Sequence, residues 1–111
     1  AISYAQALRQ CRLFRRQMEA LLAEFDALLT PVAGAQAPKG LTSTGDPTFC
    51  APWSFAGVPA VALPSGIAGD GLPLGIQLVG TPFKEADLLA TARWCEDLLG
   101  FKAQPRASHA I

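Results

Sequence analysis

Apolar residues recur at steps of three and four positions along the first part of the chain, residues 3–25, and polar residues fall largely between them. This spacing predicts a long amphipathic helix. The apolar stripe comprises Tyr4, Leu8, Cys11, Phe14, Met18, Leu21, Leu22 and Phe25. Several arginines lie on the other face. We interpret them as a solvated face rather than a phosphate-binding one, because the chain as a whole carries no net charge.

Three short apolar runs bounded by turn residues predict β-strands, at 26–32, 59–64 and 74–79. The second and third runs are separated by a glycine-rich stretch, 65–71, which predicts a hairpin or two neighbouring strands. Gln77 lies within the third run. Its apolar neighbours favour a buried amide bonded to the backbone over a side chain that simply faces solvent.

Residues 33–47 contain glycine, proline, serine and threonine with almost no large apolar group, which predicts a long loop. Loops of about fifteen residues are uncommon inside compact domains and are often functional. After this loop, Pro52 suits the first turn of a helix, and Gly57 suits the end of that helix. The sequence therefore predicts a helix of barely two turns between them.

A second amphipathic helix is predicted over residues 84–99. Glu85 and Asp87 lie in its first turn, where acidic residues are favourable, and Gly100 follows its end. Its apolar stripe comprises Leu88, Leu89, Ala92, Cys95, Leu98 and Leu99. The tail 102–111 shows no pattern and is expected to be mobile. We therefore interpret residues 1–111 as a single segment of one domain.

Composition and charge narrow the class of protein. Half of the residues are apolar and 16% are charged, whereas a soluble domain carries about 25% charged residues. Surplus apolar surface of this kind indicates a partner surface, a homo-oligomer or the remainder of a larger domain. The 9 basic and 9 acidic residues cancel, so no net field attracts nucleic acid or an anionic membrane.

Cysteine and histidine are few and widely spaced. The cysteines are Cys11, Cys50 and Cys95, with no Cys-x-x-Cys pair, and His109 is the single histidine. This arrangement predicts neither a disulfide framework nor a metal site. No apolar run reaches the roughly 18 residues of a membrane span, and the start lacks the order of a signal peptide. We expect a cytoplasmic protein with no membrane partner, and the start at Ala1 rather than at methionine indicates a trimmed segment.

No motif supplies a complete catalytic or cofactor-binding constellation. The glycine-rich stretch 66–71 leads into a strand, whereas phosphate-binding loops lead into a helix. A Cys50 nucleophile would need His109 as its base, and that histidine lies in the tail that is expected to be mobile. Cys50 is therefore expected to be a buried or pocket-lining thiol. Cys11 and Cys95 lie on apolar helix faces and are expected in the core.

The polar cluster Thr-Ser-Thr-Gly-Asp at 42–46 is the candidate site of most interest, because it directly precedes Cys50 and Trp53. A polar loop beside an aromatic residue is a plausible pocket wall. In the alternative interpretation, Asp46 caps the turn that starts at Pro47. Trp53 likewise has two interpretations, a core residue or a platform for a ligand.

Three motifs in this order resemble the C-terminal part of an amidase signature enzyme. They are FDALLTPV at 25–32, TGDPTFCAPWSFAGVPAVALPSG at 44–66 and DGLPLGIQLVG at 70–80, followed by a helix of the EADLLATARWCE kind. The resemblance covers nearly the whole chain. It implies an α/β fold, the C-terminal portion of the α/β/α mixed sheet of that family. This portion would contain a long N-terminal helix, about three strands and a C-terminal helix.

The resemblance implies amide chemistry. Enzymes of this family hydrolyse carbon–nitrogen bonds of amides with a serine nucleophile, which a second serine with a cis peptide and a lysine activate. These residues belong to the N-terminal part of the family and have no counterpart here, so we assign no catalytic residue, no metal ligand and no cofactor. In relatives with a similar TGDP loop, this segment approaches the substrate. The resemblance therefore implies substrate contacts from Thr44, Asp46, Cys50 and Trp53.

Three hypotheses for function follow. The first is a C-terminal segment of an amidase-type hydrolase, inactive alone, whose partners are the N-terminal remainder of the domain and a small-molecule amide. The second is a non-catalytic module that binds a protein or a ligand, alone or as a homo-oligomer. The third is part of a glutamine amidotransferase A subunit, which releases ammonia from glutamine. We rank it below the first, because the loop before Trp53 lacks the pattern we associate with glutamine-specific members.

Overall fold

The computed structural model describes residues 1–105, in which the helices and strands follow one another in the order the sequence predicts. The elements are α1 (Ile2–Leu22), β1 (Leu28–Pro31), α2 (Ala51–Ala56), β2 (Ala60–Ile67), β3 (Pro73–Val79) and α3 (Glu85–Leu99). The main difference from the prediction is the length of β2, which continues past Pro64 into the glycine-rich stretch. A β-bulge between Pro64 and Gly66 allows this continuation.

The three strands form one antiparallel sheet with β3 in the middle, in the order β1-β3-β2. β2 and β3 form a hairpin, so the predicted pairing of these two neighbours is confirmed. β1 pairs with the other edge of β3, where Leu28 lies opposite Val79. β1 and β3 are neighbours in the sheet but not in sequence. The 33–48 loop, α2 and β2 all lie between them along the chain.

Helices cover both faces of the sheet. Leu78 and Val79 are neighbours in β3, so their side chains point to opposite faces. Val79 packs with residues of α1 and α2 in a cluster of Met18, Leu22, Ala56, Val58 and Val79. Leu78 packs against α3 in a cluster of Leu63, Leu78, Leu88 and Ala92. The architecture is therefore α/β/α, with a thin apolar core on each side of the sheet.

The predicted helix boundaries at glycine are confirmed. Pro52 lies in the first turn of α2, and Gly57 ends this helix with φ +68°. Gly100 ends α3 in the same left-handed conformation, with φ +57°. Glycine adopts this conformation without the steric cost that a Cβ brings, so each helix stops where the sequence places a glycine.

The apolar stripes of the two long helices are buried only in part. In α1, Met18 and Leu22 are buried, whereas Tyr4 and Leu8 are exposed. No other element in residues 1–105 packs over the first turns of α1, which leaves this half of the stripe uncovered. In α3, Leu89 and Leu98 are likewise exposed. The predicted mobility of the tail concerns mainly residues 106–111, which lie outside the described residues.

Candidate functional site

A cleft of about 920 Å³ opens between the 33–48 loop and the β2–β3 hairpin. Four stretches line it: residues 32–38 and 44–46 of the loop side, and 62–64 and 73–75 of the hairpin. The loop contains no helix or strand, and all of its residues are exposed. Residues 44–46 of the polar cluster that the sequence singles out therefore lie in one wall of this cleft.

The two arms of the loop approach each other at Pro38 and Gly45. A Cβ at Gly45 would lie 3.7 Å from Cδ of Pro38, and Gly45 has φ +95°. Its N–H donates a hydrogen bond to Oγ of Ser43 at 3.1 Å. Glycine is suited to this position because the backbone there is left-handed. The turn brings residues 44–46 back alongside residues 32–38.

Asp46 both lines the cleft and organises the turn that follows it. Its Oδ1 accepts hydrogen bonds from the Thr48 N–H at 2.9 Å and from the Thr48 hydroxyl. The hydroxyl, and after it the backbone N–H, holds the pKa of the Asp46 carboxyl below its ordinary value, because both stabilise the charged form. The predicted cap at Pro47 is thus present, and the carboxylate that makes it also lies in the cleft wall.

The side-chain amide of Gln77, in β3, forms hydrogen bonds to both ends of the loop. Its side chain is 5% exposed. Its Nε2 donates to the carbonyl oxygen of Pro31 at 3.0 Å and to that of Phe49 at 2.6 Å. Pro31 ends β1 just before the loop, and Phe49 follows the loop just before α2. The predicted buried amide bonded to backbone is confirmed, and its partners lie on both sides of the loop.

Two further contacts hold the same region together. The Cys50 thiol donates to the carbonyl oxygen of Val32 at 3.3 Å. Val32 also packs closely on β3, where a Cβ at Gly75 would lie 3.2 Å from Cγ2 of Val32. The missing side chain at Gly75 therefore lets the start of the loop lie directly on the hairpin.

The structure brings two of the four predicted site residues into the cleft. Thr44 and Asp46 line it, whereas Cys50 and Trp53 do not. Cys50 is exposed, so the expectation of a buried thiol is wrong. Its thiol donates a hydrogen bond to the carbonyl oxygen of Val32, at the start of the loop, and is not part of a hydrophobic core. Residues 32–38 and the hairpin residues also line the cleft. The sequence does not reveal their place in it, because small and apolar residues give no local signal of a cleft.

Trp53 belongs to the packing between α1, α2 and the sheet. It is partly buried and lies against the cluster that contains Met18 and Leu22. Its indole N–H is enclosed and has no hydrogen-bond partner within residues 1–105. The interpretation of Trp53 as a core residue is thus supported by its surroundings. Cys11 and Cys95, which the sequence places in the core, are half-buried.

A second cleft, of about 880 Å³, lies between α3, β1 and the end of α1. Phe25, Leu29 and Trp94 contribute exposed apolar surface to it. None of the four predicted site residues lines this cleft. It is a groove beside the edge of β1 with which no other strand in residues 1–105 pairs.

The first cleft offers binding groups but no pair of nucleophile and base. Among the described residues that line it, Thr44 carries the single hydroxyl, Asp46 the single charge and Gln36 the single amide. Within residues 1–105, no group of three histidine, cysteine or acidic side chains could hold a metal ion. In the same range, no helix is both long and apolar enough to cross a membrane. The lining of this cleft therefore offers a hydroxyl, a carboxylate and an amide that can hydrogen-bond to a small molecule.

Comparison with solved structures supports the α/β/α architecture. The 6-aminohexanoate cyclic dimer hydrolase superposes with a TM-score of 0.76 at 23% identity, over 96% of this chain and 26% of that one. The A subunit of glutamyl-tRNA(Gln) amidotransferase from Thermotoga maritima superposes with a TM-score of 0.66 at 29% identity, over 87% of this chain and 24% of that one.

Sequence comparison gives the family. The chain is 36% identical to the A subunit of glutamyl-tRNA(Gln) amidotransferase from Parvibaculum lavamentivorans, over 94% of this chain and 23% of that protein. Identity with the corresponding protein of Jannaschia sp. is 38%, over 92% of this chain and 22% of that protein. The chain thus spans less than a quarter of the length of these relatives. The family sequence model described as Amidase matches residues 1–89. This chain therefore belongs to the amidase family.

Proposed function

We propose that this chain forms part of an amidase-type hydrolase that cleaves carbon–nitrogen bonds of small-molecule amides, and that it contributes a wall of the substrate pocket. The cleft beside the 33–48 loop is the observation that carries this proposal. It combines a mostly apolar lining with the polar groups of Thr44 and Asp46, as ligand pockets typically do.

In this proposal the reacting groups lie outside the chain. Amide hydrolysis through an acyl-enzyme needs a nucleophile and a base within hydrogen-bond reach, and the lining of the cleft offers no such pair. The serine nucleophile, the second serine and the lysine of the family would therefore come from the rest of the domain. By itself the chain is expected to be inactive. Substrate contacts from Thr44, Asp46, Cys50 and Trp53 remain part of the proposal.

Exposed apolar surface supports a covering remainder of the domain. The side chain of Ile2 is 77% exposed and that of Tyr4 is 70% exposed, both on the apolar stripe of α1 or beside it. Large apolar side chains concentrated on one helix face usually mark a contact surface. We propose that the rest of the amidase domain packs there. The three cysteines are unpaired, which fits a reducing compartment such as the cytoplasm.

A glutamine amidotransferase A subunit is the second candidate. It is favoured by the relatives at 36% and 38% identity, which are both A subunits of glutamyl-tRNA(Gln) amidotransferase. The two candidates differ in substrate. A simple amidase releases ammonia or an amine from many amides, whereas the amidotransferase would favour glutamine and pass ammonia to a partner protein.

The test uses the complete polypeptide that carries this segment. Purified protein is incubated with simple aliphatic and aromatic amides and, separately, with glutamine, and ammonia release is measured. Turnover of simple amides supports the first candidate, and turnover restricted to glutamine supports the second. The 111-residue chain alone serves as the matched control, for which we expect no turnover. Activity of that chain alone would contradict the placement of the nucleophile outside it.

A further inference from the structure

The 33–48 loop has few means of holding its own shape. Its residues are exposed throughout, and side-chain hydrogen bonds inside it are local, from Gly45 to Ser43 and from Thr48 to Asp46. Loops without buried side chains or regular hydrogen bonds open at low free-energy cost. Whatever fixes this loop against the hairpin must therefore act at its ends.

One buried amide bonds to both ends of the loop, in addition to the contacts that Val32 makes with Cys50 and Gly75. A primary amide has two N–H donors on one nitrogen, and Gln77 directs them to Pro31 on one side of the loop and Phe49 on the other. Both acceptors are backbone carbonyls, so the attachment does not depend on which side chains the loop carries. Loss of this amide would remove one hydrogen bond from each end of the loop, which lowers stability.

We propose that Gln77 is a positioning residue for the substrate pocket: its amide clamps both ends of the 33–48 loop and thereby sets where Thr44 and Asp46 stand across the cleft from the hairpin. This inference rests on the proposed function of the cleft. Gln77 itself does not line the cleft, so its effect on a substrate would be indirect, through the backbone of the loop.

Glutamine is well suited to this position. Methionine has a similar shape but no donor, and an ionised glutamate has only acceptors. A glutamate carboxylate would face the carbonyl oxygens of Pro31 and Phe49, which repel negative charge and would raise its pKa. Gln77→Met therefore removes the clamp at any pH. Gln77→Glu removes it while the carboxyl group is ionised, and regains one donor when the pH is low enough to protonate that group.

Trypsin provides a direct measure of loop opening. Lys39 is the single lysine or arginine between Arg16 and Lys84, and it lies within the loop. Cleavage after Lys39 can be followed by mass spectrometry in the complete polypeptide that carries this segment. We expect Gln77→Met to accelerate this cleavage roughly tenfold under conditions where the protein stays folded, as the loss of two hydrogen bonds implies.

Thr81→Val is the matched control. The Thr81 hydroxyl donates to the carbonyl oxygen of Leu22 at 3.3 Å and is also part-buried. Thr81 lies two residues after β3 and anchors the end of α1 instead of the loop. The control thus removes a comparable side-chain to backbone hydrogen bond, and we expect cleavage after Lys39 to change less than about twofold.

Kinetics separate positioning from general stability. We expect Gln77→Met to raise KM for the best amide substrate by roughly fivefold or more with kcat changed less than about twofold, because the clamp acts on binding. Gln77→Glu should cleave after Lys39 closer to the wild-type rate at pH 6 than at pH 8. This variant also tests the clamp if Gln77→Met does not fold.

Each outcome is decisive. Equal acceleration by Gln77→Met and Thr81→Val would overturn the clamp, because both would then act through overall stability. Faster cleavage with unchanged KM would overturn the positioning role while the amidase activity stands. Absence of ammonia release from any amide by the wild-type protein would instead overturn the proposed function and the substrate role of Gln77 with it. The rate of cleavage after Lys39 would still report on the loop in that case.

Discussion

Gly80 lies against Leu88, so closely that the end of β3 touches α3 without an intervening side chain. A Cβ at Gly80 would be 3.1 Å from Cβ, Cδ1 and Cδ2 of Leu88. Both residues are buried, and the Gly80 N–H donates to the carbonyl oxygen of Pro59 at 2.9 Å. The glycine that ends the segment DGLPLGIQLVG thus lets α3 pack closely against the end of β3.

Gly80→Ala should destabilise the protein, because the added methyl group has no room beside Leu88. We expect the free energy of unfolding to fall by about 1–3 kcal/mol, the usual cost of overpacking, as measured by urea denaturation. Gly69→Ala is the control, since an added Cβ there meets nothing within 4 Å. It should change stability by less than about 0.5 kcal/mol. Equal losses would contradict a packing role for Gly80.

Gly57→Ala should weaken the end of α2. Gly57 has φ +68°, a conformation that costs an L-residue with a Cβ roughly 1–2 kcal/mol. We expect a loss of about 1 kcal/mol in thermal or urea unfolding. Gly57→Asn should lose less, because asparagine tolerates this conformation better than alanine. The reverse order of the two variants would show that the backbone conformation is not the cause.

Leu22→Ala should be much more costly than Leu21→Ala, although the two residues are neighbours in α1. Leu22 is 1% exposed and packs against Val79, whereas Leu21 is 41% exposed. Removing a fully buried leucine side chain costs about 2–5 kcal/mol, and Leu21→Ala in the 111-residue chain should cost less than about 1 kcal/mol. Urea denaturation of both variants checks the difference. Similar losses of stability would mean that α1 is rotated about its own axis relative to this structure, with Leu21 as buried as Leu22.

The turn at Asp46 should depend on pH. Its carboxyl has a lowered pKa in the folded chain, so its contribution is present above the pKa of the unfolded chain and is lost as the pH falls through the folded value. The amide signal of Thr48 in NMR spectra should therefore shift as the pH is lowered below 3.8, the ordinary Asp value. Asp46→Asn keeps an acceptor but should abolish this titration. If the Thr48 amide signal still shifts with pH in this variant, a group other than Asp46 causes the titration.

Much of the fold could be predicted from local patterns. The helices follow from apolar spacing, and Gly57 and Gly100 mark helix ends because a left-handed residue is needed there. The buried amide of Gln77 was also predictable, since its neighbours in β3 are apolar. Local patterns do not reveal the partners of this amide, because Pro31 and Phe49 are far from it in sequence and bond through their backbones.

The candidate site was predicted in part. Thr44 and Asp46 line the cleft because polar residues cluster in a loop that has no buried side chains. Trp53 follows that loop closely in sequence, yet α2 turns its side chain towards α1 and the sheet. The direction in which a short helix presents its side chains depends on how it packs. Six residues are too few for a periodic pattern to reveal it.

The central position of β3 also bears on the order in which the chain folds. The β2–β3 hairpin closes a short turn and can form early, whereas β1 must wait for a partner far along the chain, at a larger loop-closure entropy. During synthesis β1 leaves the ribosome before β3 exists. The carbonyl group of Pro31 thus meets Gln77 only after β1 has joined the sheet. We expect the cleft to be the last part of the chain to assemble.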